Sequence, residues 1–465
     1  MPTTAIVLAA GEGTRMKSRR AKVLHEMLGK PLVSWAVRAA KDAGCDRVVV
    51  VVGNDSEEVR DTLSATGVEC VEQAERLGTG HAVRCALDSV GTLTGTVVVM
   101  YGDTPLVRAS TIKALADRVT TGDTAAAVLT MSPSDPSGYG RIKLDGGQVT
   151  AIIEDKDCTP EQRTSLTECN SGVYAFDASQ LTAHIGEIGR DNAQGEYYLT
   201  DMIEILRKAG RTVCSVHVDD DTEMLGVNSR SQLADATRIM QGRINASLMD
   251  EGVTMLDPSL VWVGPDVTVG QDTTLLPLTF LAGDTHIGSD CTVGPNTRLT
   301  DTRVGDGCVV DETVAISATL ENHVTCGPRA YLRPGAHLLD DSKAGTHVEI
   351  KNSTIGVGSK VPHLSYIGDT TMGSGVNIGA GSITCNYDGI NKNHTTIGDD
   401  VFVGSDTMMV APVNIGAGAL VGASSCITKD VPADALALER SEQKMVEGYA
   451  PVRRKRLEQE KEGQR

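Results

Sequence analysis

Beyond Gly252 the aliphatic side chains return every sixth residue, a period that belongs to neither an α-helix nor an alternating strand. Val263, Val269, Leu275, Leu281, Ile287, Val293 and Leu299 keep strict register, and after one five-residue step the series resumes at Val304, Val310 and Ile316. A second series runs Cys326, Leu332, Leu338, Ala344, Ile350, and a third Ile397, Val403, Met409, Ile415, Val421, Ile427. Glycine often follows the aliphatic residue, as in Ile287-Gly288 and Ile415-Gly416, and the chain carries 49 glycines against only 3% aromatics. Such a composition suits small repeated turns. Each hexad then forms one flat side of a β-solenoid with its aliphatic residue inward, and three hexads, 18 residues, complete a coil.

The part before this repeat reads differently. Through residue 228, short β-branched runs (Ala5 to Ala10, Arg47 to Val52, Val97 to Tyr101) alternate with helical stretches such as Leu32 to Ala43. This is the pattern of a largely parallel sheet covered by helices, with ligands bound at the carboxyl ends of its strands. Between the two parts, Leu233, Ala236, Ile239, Met240, Ile244 and Leu248 recur at helical spacing, predicting one amphipathic helix capped by Asn228 or Ser229. The division expected is an α/β domain at 1–228, a linker helix at 229–250, and a solenoid domain with a tail at 251–465.

A formal charge of −18 argues against general nucleic-acid binding, which needs a clustered excess of Lys and Arg. The one basic run, Arg453 to Arg456, adjoins a Glu-, Lys- and Gln-rich end, Leu457 to Arg465, that reads as solvated and poorly ordered. Eleven cysteines without a C-x-x-C pair read as reduced thiols. The opening Met1 to Ala10 has neither a basic start nor the length of a membrane span. A cytoplasmic protein bound to neither membrane nor nucleic acid is expected.

After the first strand comes Leu8-Ala9-Ala10-Gly11-Glu12-Gly13-Thr14-Arg15-Met16, followed by Lys22. Two glycines let backbone N–H groups approach an anion, and Arg15 and Lys22 add charge. Neither the dinucleotide G-x-G-x-x-G nor the G-x-x-x-x-G-K-[ST] loop is present. The segment resembles the signature of nucleotide-sugar pyrophosphorylases. Three more segments are similar to a narrower family, the bifunctional bacterial N-acetylglucosamine-1-phosphate uridyltransferase/glucosamine-1-phosphate acetyltransferases: Gln73 to His81, Tyr101-Gly102-Asp103-Thr104-Pro105-Leu106, and Asn192-Ala193-Gln194-Gly195-Glu196-Tyr197-Tyr198. The resemblance covers nearly the whole chain. It implies a Rossmann-like nucleotidyltransferase domain followed by a left-handed parallel β-helix.

For the first domain the resemblance implies that Leu8, Ala9, Ala10 and Gly11, with Gln73, Gly78 and Thr79, hold uridine, and that Lys22 holds phosphates. Gly140, Glu154 and Asn170 would hold the N-acetylglucosamine ring. Tyr101 and Gly102 would also line the uridyltransferase substrate site, and Asp103, directly after the buried run Val97 to Tyr101, would bind Mg²⁺ with Asn228; one carboxylate and one amide suffice, because Mg²⁺ keeps several waters. The reaction implied is attack of a sugar 1-phosphate oxygen on the α-phosphorus of UTP, which needs positioning and charge neutralisation and no protein nucleophile.

In the solenoid, Val361-Pro362-His363-Leu364-Ser365-Tyr366 and a loop from Cys385 to Lys392 that breaks the hexad register resemble the acetyltransferase pattern. The resemblance makes His363 the general base toward the sugar amine as it attacks acetyl-CoA, with Glu349 as the carboxylate that orients it. Arg333, Lys351, Tyr366, Asn377 and Lys392 would bind the sugar phosphate. Ala380, Asn386, Tyr387, Ser405, Ala423 and Arg440 would bind acetyl-CoA. Two residues, Arg333 and Lys351, also stand 18 apart in an unbroken series, hence one above the other on successive coils. Two like charges so placed repel unless something anionic lies between them.

The family also implies a homotrimer whose acetyl sites are shared between chains, and a product, UDP-N-acetylglucosamine, that feeds cell-wall polysaccharide synthesis. Two other readings remain: a non-catalytic assembly protein, which would lose Lys22, Asp103, His363 or Tyr366, and a monofunctional sugar-1-phosphate nucleotidyltransferase with a purely structural β-helix, which has no use for the insertion at Asn386 to Lys392.

Overall fold

The β-branched runs of the first part do form a sheet. In the structure, a computed structural model describing residues 1–53, 56–120, 123–192 and 194–463, seven strands follow one another. They are β1 (Thr3–Leu8), β2 (Arg47–Val52), β3 (Glu69–Glu72), β4 (Thr96–Tyr101), β5 (Thr124–Met131), β6 (Cys169–Asp177) and β7 (Thr212–His217). Their order is β7-β5-β6-β4-β1-β2-β3, and only β6 runs against its neighbours. A hairpin, Arg141–Asp145 with Gln148–Ile153, is attached to β6. Val48, Val50 and Val52 face one apolar cluster while Val49 and Val51 face another. Both sheet faces are thus covered, as near-continuous aliphatic strands require.

The amphipathic stretch forms a helix at Arg230–Asp250. Ser229 Oγ accepts a hydrogen bond from Gln232 N–H at 3.3 Å at its start, the bond an N-cap residue makes. Ala236 of this helix is buried in a cluster with Trp35, Leu106 and Val227. The chain divides into two units, Met1–Ala246 and Ser247–Arg465, so the division falls within this helix.

The second unit is a three-sided parallel β-helix whose sides are sheets of 11, 10 and 9 short strands. Strand pairs such as Thr274↔Thr292 and Phe280↔Arg298 repeat the 18-residue coil expected from the hexads. Inward residues stack in columns, one of them Leu275, Val293, Val310, Cys326, Ala344 and Val361. One expectation needs correction: Ala315 rather than Ile316 points inward, because Leu299 pairs with Ala315 and Ile316 with Thr300. Corners shortened by a residue shrink the coil to 16 there, as in Arg303↔Thr319. Where the hexad register breaks, Thr370 pairs with Thr395, 25 residues on, and the extra chain forms a loop closed by Asn393 N–H donating to Asn386 O at 2.7 Å.

The tail also differs from expectation. Tyr449–Glu462 is an α-helix, exposed along its length, with an Arg456–Glu460 ion pair one turn apart at 2.8 Å. Its Glu, Lys, Gln and Arg residues are good helix formers, and the i,i+4 pair adds local support. Gln464 and Arg465, also assigned to the tail, lie outside the described residues.

Candidate active sites

Parallel pairing sets the ends of β1 and β4 side by side, Leu8 against Tyr101. The loop after β1 is held there by Ala9 N–H donating to Val51 O at 2.8 Å, and the loop after β4 by Gly102 N–H donating to Leu8 O at 2.9 Å. Gln73 follows β3 in the same row, its N–H donating to Val52 O at 2.8 Å. Leu8, Ala9, Ala10, Gly11, Gln73 and Gly78 therefore line one cavity of about 280 Å³, with Lys22 and Asp103 at its side. Gly78 has φ of 110°, and a Cβ there would come within 2.6 Å of Tyr197 O, so only glycine can enter the helix Thr79–Val90 by this path.

Three residues far apart in sequence converge beside this cavity. The Lys22 ammonium donates to the Asp103 carboxylate and, at 3.0 Å, to Asn228 Oδ1. The Asp103 and Lys22 side chains are 15% and 12% exposed, which makes this a largely desolvated ion pair. The polypeptide is tied at the same point, with Val227 N–H donating to Asp103 O at 2.8 Å. Arg15 and Gly13 stand outside the cavity lining, with Arg15 exposed.

A second cavity of about 440 Å³ shares Thr79, Tyr101 and Glu196 with the first and contains Gly140, Glu154 and Asn170. Asn170 is held by two bonds, its Nδ2 donating to Tyr174 Oη at 2.7 Å and its Oδ1 accepting from Gly172 N–H at 3.0 Å. Burial pushes the Glu154 carboxyl above the usual carboxylate range despite a bond from Thr200 Oγ1 at 3.2 Å. Two adjoining cavities, one beside the glycine loop and one polar, can hold two phosphorylated substrates end to end. Ala193, part of the Asn192 to Tyr198 segment, lies outside the described residues.

On the solenoid, register decides which side chains meet. Leu332 pairs with Ile350, so Arg333 and Lys351 lie on successive coils as expected. Carboxylates, however, resolve their mutual repulsion. Arg333 Nη1 donates to Glu349 Oε1 at 2.9 Å, and Lys351 Nζ donates to Asp369 Oδ1 at 2.8 Å. Asp369 also accepts from Asn352 Nδ2 at 2.7 Å and from Asn386 Nδ2, while Asn386 Nδ2 approaches Tyr366 Oη at 3.4 Å. Burial opposes ionisation of Asp369, but the donors from Asn352, Lys351 and Asn386 outweigh it and hold the carboxyl below its ordinary range.

In this structure Glu349 is engaged by Arg333, and no hydrogen bond joins it to His363. The reason is a corner. Glu349 pairs with Tyr366 on one side of the prism, whereas His363 pairs with Thr346 on another, and the chain turns between them at Leu364 with φ of 47°. Among the described residues no hydrogen bond to the exposed His363 ring is formed. Asn377 lies on the side that carries Lys360, opposite it in register. Ala380, Ser405 and Ala423 stack in one column, with Asp406 N–H donating to Ala380 O at 2.7 Å and Ser424 N–H to Ser405 O at 2.8 Å. Arg440 Nη1 reaches the same column at Ala423 O, 3.3 Å away. In the exposed loop Lys392 Nζ rests 4.3 Å from the centre of the Tyr387 ring.

Comparison with known proteins bears on both units. Residues 5–161 match the MobA-like NTP transferase domain, and residues 285–318 and 394–429 match the hexapeptide repeat of succinyl-transferase. The bifunctional protein GlmU of Streptomyces coelicolor is 50% identical over 460 residues, spanning 98% of this chain and 95% of that protein. That of Heliobacterium modesticaldum is 48% identical over 447 residues, spanning 96% of this chain and 97% of its own. The chain belongs to the bifunctional GlmU family.

Beside the residues expected in each unit of this GlmU-family chain, the geometry adds members to both sets. Arg76 braces the glycine loop, its Nε donating to Ala10 O at 2.8 Å, and Glu196 lies between the two cavities. On the solenoid the added residue is Asp369, which joins Lys351 to Asn386. Repeat arithmetic contains a signal for it, since Lys351 and Asp369 are again 18 residues apart. Arg76 lies within the family-like segment Gln73 to His81, but no repeat spacing ties it to the carbonyl it binds 66 residues away.

Proposed function

We propose that this GlmU-family enzyme acetylates glucosamine-1-phosphate in its solenoid unit and transfers UMP from UTP to the resulting N-acetylglucosamine-1-phosphate in its first unit, giving UDP-N-acetylglucosamine and pyrophosphate. The observation that carries the reading is the presence of two separately built polar sites on one chain: adjoining cavities at the sheet's carboxyl edge, and the Arg333–Glu349 and Lys351–Asp369 pairs beside the register-breaking loop.

In the first unit the cavity around Gln73 and Gly78 accepts the uracil and ribose, and Lys22 the phosphates. Gly140, Glu154 and Asn170 hold the sugar, with its 1-phosphate oxygen directed through the shared wall at Thr79 and Tyr101. The residues present fit a divalent cation: the Asp103 carboxylate and Asn228 Oδ1 both face one point, which the Lys22 ammonium now holds. Bound there, Mg²⁺ would neutralise phosphate charge as pyrophosphate leaves. For that, Lys22 turns from Asp103 toward the phosphates, a short movement for a four-carbon side chain.

In the solenoid unit Arg333 and Lys351 present two cations to the sugar phosphate, held in place by Glu349 and Asp369. His363 Nε2 or Nδ1 takes a proton from the amine, which attacks the thioester carbonyl and expels the coenzyme thiolate. The Ala380–Ser405–Ala423 column seats the pantetheine arm and Arg440 the coenzyme's far end. Small side chains along that column leave its backbone open to an extended ligand. We place the enzyme in the cytoplasm as a homotrimer. All eleven cysteines are free, and among the described residues no helix is long and apolar enough to cross a membrane. A single assay supplied with glucosamine-1-phosphate, acetyl-CoA, UTP and Mg²⁺ tests the whole reading. UDP-N-acetylglucosamine should appear only when all four are present.

A further inference from the structure

The residues that face the cation point come from two loops that share no strand pairing. Asp103 belongs to the turn after β4, which continues through Leu106 to Arg108. Asn228 ends a segment that leaves β7, passes the turn Asp221–Met224 and reaches Val227. Their separation is set outside the sheet, first by Val227 N–H donating to Asp103 O at 2.8 Å and by Arg108, whose N–H and guanidinium engage Glu223 and Asp220.

A side chain of the following helix also spans both. Arg243, on the helix Arg230–Asp250, donates from Nη1 to Leu106 O at 2.5 Å, and from Nη2 to Asp220 Oδ2 at 3.1 Å and Thr222 Oγ1 at 3.2 Å. One nitrogen thus holds the Asp103 loop and the other the segment leading to Asn228. The fork of a guanidinium can do this, while a lysine ammonium makes a single point contact. Arg243 lies on the helix face that carries Ala236 and Met240, at spacings of four and three, and Ala236 packs in the cluster that buries Leu106 and Val227. With only 19% of its side chain exposed, its bonds are largely shielded from water.

We infer that Arg243 is a positioning residue for the uridylyl reaction, fixing the spacing of Asp103 and Asn228 by bridging the two loops that carry them. The inference rests on the proposed cation site, so its test carries a reference for that site. Mn²⁺ binding to the full chain, followed by the EPR signal of the ion with UDP-N-acetylglucosamine present, is compared in wild type, Asp103→Ala, Arg243→Met and Arg243→Lys. Residues hydrogen-bonded directly to a metal ligand commonly change affinity by about 10- to 100-fold, and Arg243, which holds the ligands' loops and not the ligands, belongs at the low end. Arg243→Met should weaken Mn²⁺ binding by about tenfold and raise the half-saturating Mg²⁺ for uridylyl transfer to match. Half-saturation by UTP at saturating Mg²⁺ should stay at the wild-type value, which a collapsed domain would not allow. Arg243→Lys should show a smaller loss of the same kind, and it carries the test if Arg243→Met does not fold. Wild-type Mn²⁺ affinity in the folded Arg243 variants, with Asp103→Ala impaired, overturns the bridging role alone. Wild-type affinity in Asp103→Ala overturns the cation site and the inference with it.

Discussion

Arg333 donates to Glu349 at 2.9 Å, and in this structure no hydrogen bond joins Glu349 to His363. The bond also raises the Arg333 pKa further, chiefly through the hydrogen bond itself. A carboxylate that screens one of two stacked cations tunes how strongly they attract an anion. Removing its charge should therefore alter sugar-phosphate binding more than proton transfer.

The general base can be separated from that effect. His363→Ala should lower acetyl transfer by about 10²- to 10⁴-fold with little change in substrate saturation. Glu349→Gln should shift the glucosamine-1-phosphate concentration for half saturation and leave the pH profile of turnover as in wild type. A Glu349→Gln profile displaced along the pH axis would support the orienting role.

The proposed cation site lies in the first unit. Asp103→Ala should abolish uridylyl transfer and leave acetyl transfer close to wild type, measured on one preparation by separate assays. Equal loss of both activities would sink the two-site reading.

Lys351→Ala should raise half saturation by glucosamine-1-phosphate and leave acetyl-CoA saturation nearly unchanged, and Arg333→Ala should do the same. Asp369→Asn should move both saturations, because Asp369 holds Lys351 and Asn386 together. Its depressed pKa also fixes the sign of a stability effect. The stabilisation from ionised Asp369 is present above the ordinary carboxylate pKa and is lost as pH falls through the lower folded value. The gap in urea midpoint between wild type and Asp369→Asn should accordingly narrow on acidification.

Glu154 behaves in the opposite sense, since burial raises its pKa. It takes up a proton at a higher pH than an exposed carboxylate, and once protonated it accepts hydrogen bonds from the sugar less well. Half saturation by N-acetylglucosamine-1-phosphate should rise as pH drops toward that raised value, and Glu154→Gln should not show the same rise.

Assembly is testable through one outward column. Register places Phe402, Leu420 and Leu436 above one another on a single side of the prism, and each is at least half exposed. Phe402→Glu should convert a sedimenting trimer to monomer and impair acetyl transfer while uridylyl transfer persists. A monomeric wild type with full activity would refute the assembly.

The solenoid was legible because its period repeats over many coils, so one misread step hardly matters. Ala315 escaped for a local reason. A corner dropped one residue, and an alanine beside an isoleucine gives no hydrophobic contrast to mark the change. In the first unit the strands could be read from β-branched runs, and resemblance supplied Lys22, Asp103 and Asn228, whose meeting across 206 residues has no local pattern. Arg76, Thr200 and Arg243 stayed hidden because each acts on a partner distant in sequence, through a bond that composition does not encode.

The 25-residue step between Thr370 and Thr395 has a consequence for how this scaffold can change. The extra chain leaves at one corner and returns to it, so the coils on either side pair as regularly as elsewhere: Thr354↔Thr371 before it and Thr395↔Val413 after it. Because each coil answers only to its immediate neighbours, a longer or shorter loop there need not be transmitted through the stack. The segment from Asn386 to Asn393 is in effect an exchangeable cassette. Ligand preference could be rewritten within it while the aliphatic columns stay as they are.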